Sequence, residues 1–419
     1  MTNTFSLVFV LALLLMIALR RYLAQRQIAY VTAHRAAVPE QFAGTIALAA
    51  HQKAADYTIT RTRFGRVALA IEVVVLLALT FGGGLQAAHD FWNARLSDLP
   101  YGLALIFSVI AVSSLVDLPL ALYRQFVIEE KFGFNRMTLR LFIVDLIKQT
   151  ALGLIIGTPL LLAVLWLMGE MGSLWWLYVW LFWSGFNLLM LFIYPTWIAP
   201  LFNRFSPLED APLKARIEAL LQRCGFAASG LFVMDGSKRS NHGNAYFTGF
   251  GKTKRIVFFD TLLGRLQPAE VEAVLAHELG HFKHRHVTQR LVLMFAMSLA
   301  FLAVLGQLID AEWFFRGLGV QAQNTSLALV LFFLAAPVFT FLLTPLLSVL
   351  SRHHEFSADR YAAQSASAAD LVGALIKLYE DNASTLTPDP LHSLFYDSHP
   401  PAALRIARLQ DAAPAQESV

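Results

Sequence analysis

Cysteine occurs once in 419 residues, at Cys224, so no disulfide can form within the chain, and this residue reads as a small buried hydrophobe. Charge is also sparse, at 15% of residues against about 25% in an average soluble domain. Glycine (24) and proline (16) are too few for collagen-like repeats or low-complexity disorder. What the chain has in excess is apolar: 57% hydrophobic residues, 33 Phe, 8 Trp and a mean hydropathy of +0.55. A soluble core does not absorb that much, which places the chain among membrane proteins. The 33 Lys and Arg exceed the 29 Asp and Glu by four, but no basic patch is interleaved with aromatics, so no nucleic-acid partner is expected.

Apolar runs of about 20 residues lie near 4–19, 67–86, 101–122, 150–169, 174–200, 291–309 and 327–350, predicting seven spans. The first has Arg20 and Arg21 on its far side and no small-residue cleavage site, so it reads as a retained anchor. Basic and base-poor connections alternate. The first is rich, from Arg20 to Arg66, whereas 87–100 holds only Arg95; 123–149 is basic again, and 310–326 has a single Arg316. The positive-inside rule therefore puts the N-terminus outside and segments 203–290 and 351–419 in the cytoplasm. Glu72, Asp117 and Asn187 fall within spans, where an ionisable group in hydrocarbon costs at least ~2.5 kcal/mol, so they should face protein or water. There is no internal repeat of the kind transporters use.

The chain thus divides into spans one to five with their cytoplasmic loops (1–202), a soluble segment (203–290), spans six and seven (291–350) and a C-terminal cytoplasmic segment (351–419). Within 203–290 the apolar spacing predicts a helix over Ala211–Cys224 and short strands at Leu231–Met234 and Arg255–Asp260. Between them run Ser240–Phe247 and a turn containing Gly249, Gly251, Lys252 and Lys254, which together fit a small β-hairpin. Gln267-Pro268-Ala269-Glu270 then opens a helix, with proline in its first turn and an acid near its N-terminus.

That helix carries His277-Glu278-Leu279-Gly280-His281. The spacing puts two imidazoles one turn apart on one face, able to grip one Zn²⁺, with Glu278 beside them to take a proton from water. A catalytic zinc needs a third protein ligand. The position that would hold a third histidine is Val287, and Asp310 and Glu312 fall across the membrane, so Glu355 is the first acid on the right side. Asp359, one turn further, can accept a hydrogen bond from the free N–H of a ligand histidine. Of the other histidines, His284 and His286 read as part of a juxtamembrane basic cluster, and His353 and His354, pointed away from the metal by their adjacency to Glu355, as residues behind the ligands or on the surface. His242 reads as loop polarity and His399 as an ordinary tail residue.

These residues, with Phe126–Asn135, Asn244-Ala245-Tyr246-Phe247 and Ser398-His399-Pro400-Pro401, resemble the type I CAAX prenyl proteases over most of the chain. The resemblance implies a mainly α membrane protein: seven transmembrane helices forming a barrel around a water-filled chamber, sealed by a cytoplasmic zincin-like metalloprotease domain. It implies one Zn²⁺ per chain on His277, His281 and Glu355, with Glu278 as general base. Asn244 would hold the substrate backbone, and His399 would contact the scissile region. The implied reaction is hydrolysis near the C-terminus of a peptide or protein, with or without a prenyl group, at the lipid bilayer. Members often carry Trp after the second zinc histidine, where this chain has Phe282. The tail Gln416-Glu417-Ser418-Val419 is no retrieval signal, so a bacterial inner membrane fits at least as well as the endoplasmic reticulum. Two alternatives share the motif: a shorter membrane quality-control metalloprotease, and a transporter keeping a closed structural zinc site.

Overall fold

The computed structural model describes residues 4–248 and 255–412. Its membrane part begins with α1 (Thr4–Ala33), α2 (Leu48–Leu79), α3 (Gly84–Asn93), α4 (Asp98–Tyr123), α5 (Leu139–Glu170) and α6 (Trp175–Ile193), followed by the short α7 (Ala199–Phe202). Among the described residues, six helical stretches are long and apolar enough to cross a bilayer: 4–33, 98–129, 139–170, 172–202, 286–308 and 325–365. The pair α2 and α3, bent by 48°, makes a seventh if it crosses as one broken span. The apolar windows located the spans but not the helix ends. At 1.5 Å per residue, the 30 residues of α1 reach about 45 Å, beyond the roughly 30 Å of hydrocarbon. Arg20, Arg21 and Arg26 therefore sit on a helix that leaves the membrane, and much of the expected loop up to Arg66 is α2. Arginine is a good helix former, so a hydropathy drop marks the water boundary without ending the helix.

The polar groups inside spans find different solutions. Arg20 Nη1 donates to Glu72 Oε2 at 3.1 Å between α1 and α2. Asn187 donates to the Trp183 carbonyl of its own helix at 2.7 Å, and Asp117 is exposed on α4. One end of the bundle is closed by a large apolar cluster that includes Phe9, Leu85, Leu105, Leu165, Phe314, Phe315 and Leu327.

The soluble layer covers the other end. It comprises β1 (Phe205–Pro207), α8 (Ala211–Arg223), β2 (Gly230–Met234), β3 (Ala245–Thr248), β4 (Arg255–Phe259), α9 (Asp260–Leu263) and α10 (Pro268–Lys283). After α11 (His286–Leu308), α12 (Glu312–Gly317) and α13 (Thr325–Thr340), α14 (Thr344–Ser365) returns to it. It ends with α15 (Ala368–Asp381), α16 (Pro390–Tyr396) and α17 (Ala402–Ala412). The expected hairpin is the antiparallel pair β3–β4, with Ala245 opposite Phe258. The turn residues Gly249, Gly251, Lys252 and Lys254 lie outside the described residues. A lone hairpin understates the sheet, however: four strands run in the order β1-β2-β4-β3, and β2 pairs with β4 in parallel. A three-residue strand ending in proline and a parallel pairing across an intervening strand carry no local pattern to read. Asp260, expected in a strand, instead starts α9.

Segment 126–135 fastens the two layers. Ile128, Phe132 and Phe134 pack with Ala54 and Tyr57 of α2, and Tyr57 Oη donates to Glu129 at 2.8 Å. His242 stacks on Phe134 with ring centres 4.5 Å apart, and its Nδ1 lies 2.9 Å from Asn382 Oδ1. It is a joint between segments, beyond the simple loop polarity its spacing suggested.

Helix α10 is set by local chemistry and by one close approach. Gln267 and Glu270 form a capping box with Pro268 in the first turn, satisfying N-terminal donors that would otherwise be orphaned. The helix lies against α14 at Gly280, where a Cβ would stand 2.9 Å from the Ala358 Cα and 3.1 Å from its carbonyl oxygen. Backbone atoms cannot step aside as a side chain can. Gly280→Ala should therefore push α10 off α14, costing about 1–3 kcal/mol and weakening metal binding. A thermal melt and chelator competition measure both effects.

Candidate metal centre

Helix α10 supplies two candidate ligand atoms: His277 Nε2 and His281 Nε2 lie 3.2 Å apart, one turn separating their residues. Helix α14 brings Glu355 between them, Oε2 at 3.4 Å from His277 Nε2 and Oε1 at 3.4 Å from His281 Nε2. The three ligand atoms fall within 4.8 Å of one another. Asp359 Oδ1 lies 2.8 Å from His277 Nδ1, so that imidazole donates outward and turns the lone pair of Nε2 inward. Glu355 is buried, at 2% exposure, and its Oε2 accepts no hydrogen bond. Three acceptors converge here around a Glu355 oxygen that receives no hydrogen bond, with Arg405 Nη1 no nearer than 3.7 Å, an arrangement suited to a cation. Burial would lower the His277 pKa, yet its bonds to Asp359 and Glu355 prevail and push it up to about 9, the same demand for positive charge expressed in protons. Nitrogen and carboxylate ligands suit Zn²⁺.

Glu278 follows His277 on the helix and faces a cavity of about 790 Å³ whose lining includes Asn244, His277, Glu355, His399 and Arg405. Burial raises the Glu278 pKa, opposed by His277 and His281. His399 Nε2 stands 3.5 Å from Glu355 Oε1, which removes this histidine from the ordinary tail that its spacing alone suggested. Asn244 is exposed immediately before the edge strand β3. Its backbone carbonyl accepts from Phe259 N at 3.0 Å and its side-chain oxygen from Ala245 N at 2.8 Å. The opposite wall of the cavity comes from α1 and α2 and carries Arg20, Arg61 and Arg66.

Residues 27–204 match the family described as CAAX prenyl protease N-terminal, five membrane helices, and residues 207–413 match peptidase family M48. The chain belongs to peptidase family M48. Its relatives include a CAAX prenyl protease 1 homolog from Arabidopsis thaliana, 36% identical over 88% of this chain and 89% of that protein. The human CAAX prenyl protease 1 homolog is 35% identical over 73% of each chain. Among solved structures, the crystal structure of S. mikatae Ste24p matches with a TM-score of 0.88 and 32% identity, over 97% of this chain and 98% of that one. This M48 chain is accordingly a multi-pass membrane metalloendopeptidase that acts on peptide or protein substrates.

Two residues beside the candidate centre, Arg405 and His286, escaped the sequence reading, and the structure places a third, His354, behind the candidate ligands, one of the two places its adjacency to Glu355 left open. Arg405 is buried, its Nε 2.8 Å from Asp359 Oδ2 and its Nη2 2.5 Å from Oδ1, a fork that holds the carboxylate facing His277. No local signal singled it out, because it comes from α17, 46 positions beyond its partner. His286 is not part of a surface basic cluster: it is buried, and its Nδ1 lies 2.9 Å from His281 Nδ1. His354 is buried too, stacked on His286 with ring centres 4.0 Å apart and planes 10° off parallel.

Proposed function

We propose that the chain is a zinc endopeptidase that cuts near the C-terminus of prenylated CAAX-type proteins, with Zn²⁺ held by His277, His281 and Glu355. The observation that carries this reading is the convergence of those three acceptors, two of which, His277 and Glu355, line the cavity that Glu278, His399 and Asn244 also line. The substrate class comes from the relatives named CAAX prenyl protease 1. When bound, zinc lowers the pKa of a coordinated water to about 7 and polarises a carbonyl. Glu278 takes the proton of the attacking water and later returns it to the leaving amine. Asp359, clamped by Arg405, orients His277 and sets which nitrogen faces the metal.

Asn244 offers a side-chain amide at the start of an edge strand, where an extended peptide can add to β3. His399 donates toward the scissile carbonyl oxygen as it gains charge. The membrane orientation is argued from charge: segment 203–290, which bears His277 and His281, is rich in Lys and Arg and faces the cytoplasm, the alternation of spans puts 351–419 on the same side, and the N-terminus lies outside.

The test is cleavage of one CAAX peptide, prenylated and unprenylated, by purified zinc-loaded protein, with the Glu278→Gln variant as blank. Turnover that depends on the lipid supports a prenyl protease. Equal cleavage of both peptides overturns that specificity and leaves a general membrane peptidase that accepts CAAX termini.

A further inference from the structure

The two histidine ligands are held from behind by different chemistry. Behind His277 stands a carboxylate, Asp359, in the usual arrangement for a metal-binding imidazole. Behind His281 stands a second imidazole, with His286 Nδ1 at 2.9 Å from His281 Nδ1. Two nitrogens at that distance form a hydrogen bond only if one carries a proton and the other does not.

The protons can be followed along the network. Ser357 Oγ donates its one hydrogen to the His354 carbonyl oxygen at 2.8 Å. It is also 3.1 Å from His286 Nε2, so in that contact it accepts, and the proton sits on His286 Nε2. A neutral His286 then has a bare Nδ1, which accepts from His281 Nδ1–H. His281 is left with its lone pair on Nε2, the atom facing His277 and Glu355.

The backbone is shaped for this contact. Helix α10 stops after Lys283, and Arg285 adopts φ +57°, in the left-handed region that a non-glycine residue enters at a cost of about 1–2 kcal/mol. That turn begins α11 at His286, so a residue five positions after the second ligand meets it from behind. His354 stacks on a face of the His286 ring. It comes from α14, the helix that also bears Glu355.

We propose that His286 is a positioning residue: through the Ser357–His286–His281 relay it fixes the tautomer and the orientation of the second zinc ligand. The inference rests on the reading of His281 as a ligand.

The experiment is zinc affinity by chelator competition on the purified full chain, with a thermal melt of each variant to establish folding. His286→Phe keeps an aromatic ring against His354 but removes the acceptor, and zinc affinity should fall 10–100-fold. His286→Asn gives up the ring stack but places an amide oxygen close to where Nδ1 stood, and should stay within a few-fold of the parent. A purely packing role predicts the reverse order, because phenylalanine is the better filler. Wild-type affinity in His286→Phe, or an equal loss in both variants, overturns the relay. Ser357→Ala releases the His286 tautomer and should give a smaller loss in a protein that melts normally. His281→Ala separates the two readings. Zinc retained in it removes the ligand and the relay together, whereas zinc lost in it but kept in His286→Phe removes the relay alone.

Discussion

Glu278→Gln should leave zinc bound one per chain and lower kcat by about 10²–10⁴, with KM little changed. The side chain belongs to the cavity wall and is not among the three converging ligand atoms, so an amide of the same shape leaves the metal site intact. What is lost is the ability to take and return a proton. Stability should not suffer, because burial already disfavours the charged carboxylate and the amide removes that penalty. The melting temperature of the zinc-loaded variant should therefore equal or exceed that of the parent. Peptidase turnover, metal content by elemental analysis and a thermal melt give the three readings. Undiminished turnover would remove Glu278 from the chemistry. Loss of zinc would make it part of the metal site.

The second large effect is expected at Arg405. Its guanidinium is 6% exposed, forked onto an Asp359 that is 5% exposed. Removing one partner of a buried pair strands the other, which costs about 3–5 kcal/mol. Arg405→Met should destabilise the protein by about that amount and also weaken zinc, since Asp359 loses the clamp that keeps it on His277. Pairing it with Asp359→Leu should recover part of the stability, because the Asp359 charge is no longer stranded, while Glu355, 3.7 Å from Arg405, still loses a neighbouring cation. That double variant should not recover zinc affinity, because His277 Nδ1 then has no acceptor. Melting temperature and chelator competition on the three variants distinguish these outcomes. Recovery of zinc affinity in the double variant would show that Asp359 does not orient His277.

The membrane class and the number of spans were legible because hydrocarbon selects for composition over about 20 consecutive residues, and a window detects that without knowing any contact. The helix bearing His277, Glu278 and His281 was legible for a related reason: its capping box, first-turn proline and one-turn histidine spacing are contacts within a few residues. Glu355 could be selected because the alternation of basic loops eliminated the acids across the membrane. That argument uses the sides of the bilayer as a coarse third dimension.

Where the reading fell short, the missing information was a long-range partner. Nothing near Arg405 in sequence announces that α17 folds back to clamp Asp359, and nothing in Phe282-Lys283-His284-Arg285-His286 announces a left-handed turn that reverses His286 onto His281. Strands β1 and β3 are too short to show a period and exist because β2 and β4 offer them edges. By itself the sequence determined the chemistry available: a membrane chain carrying an acceptor-rich motif on a well-capped helix. The tertiary structure alone decided how that chemistry is held. The groups that orient the ligands lie on α14, α17 and the far side of a helix break, and only packing brings them to within 3 Å of their partners.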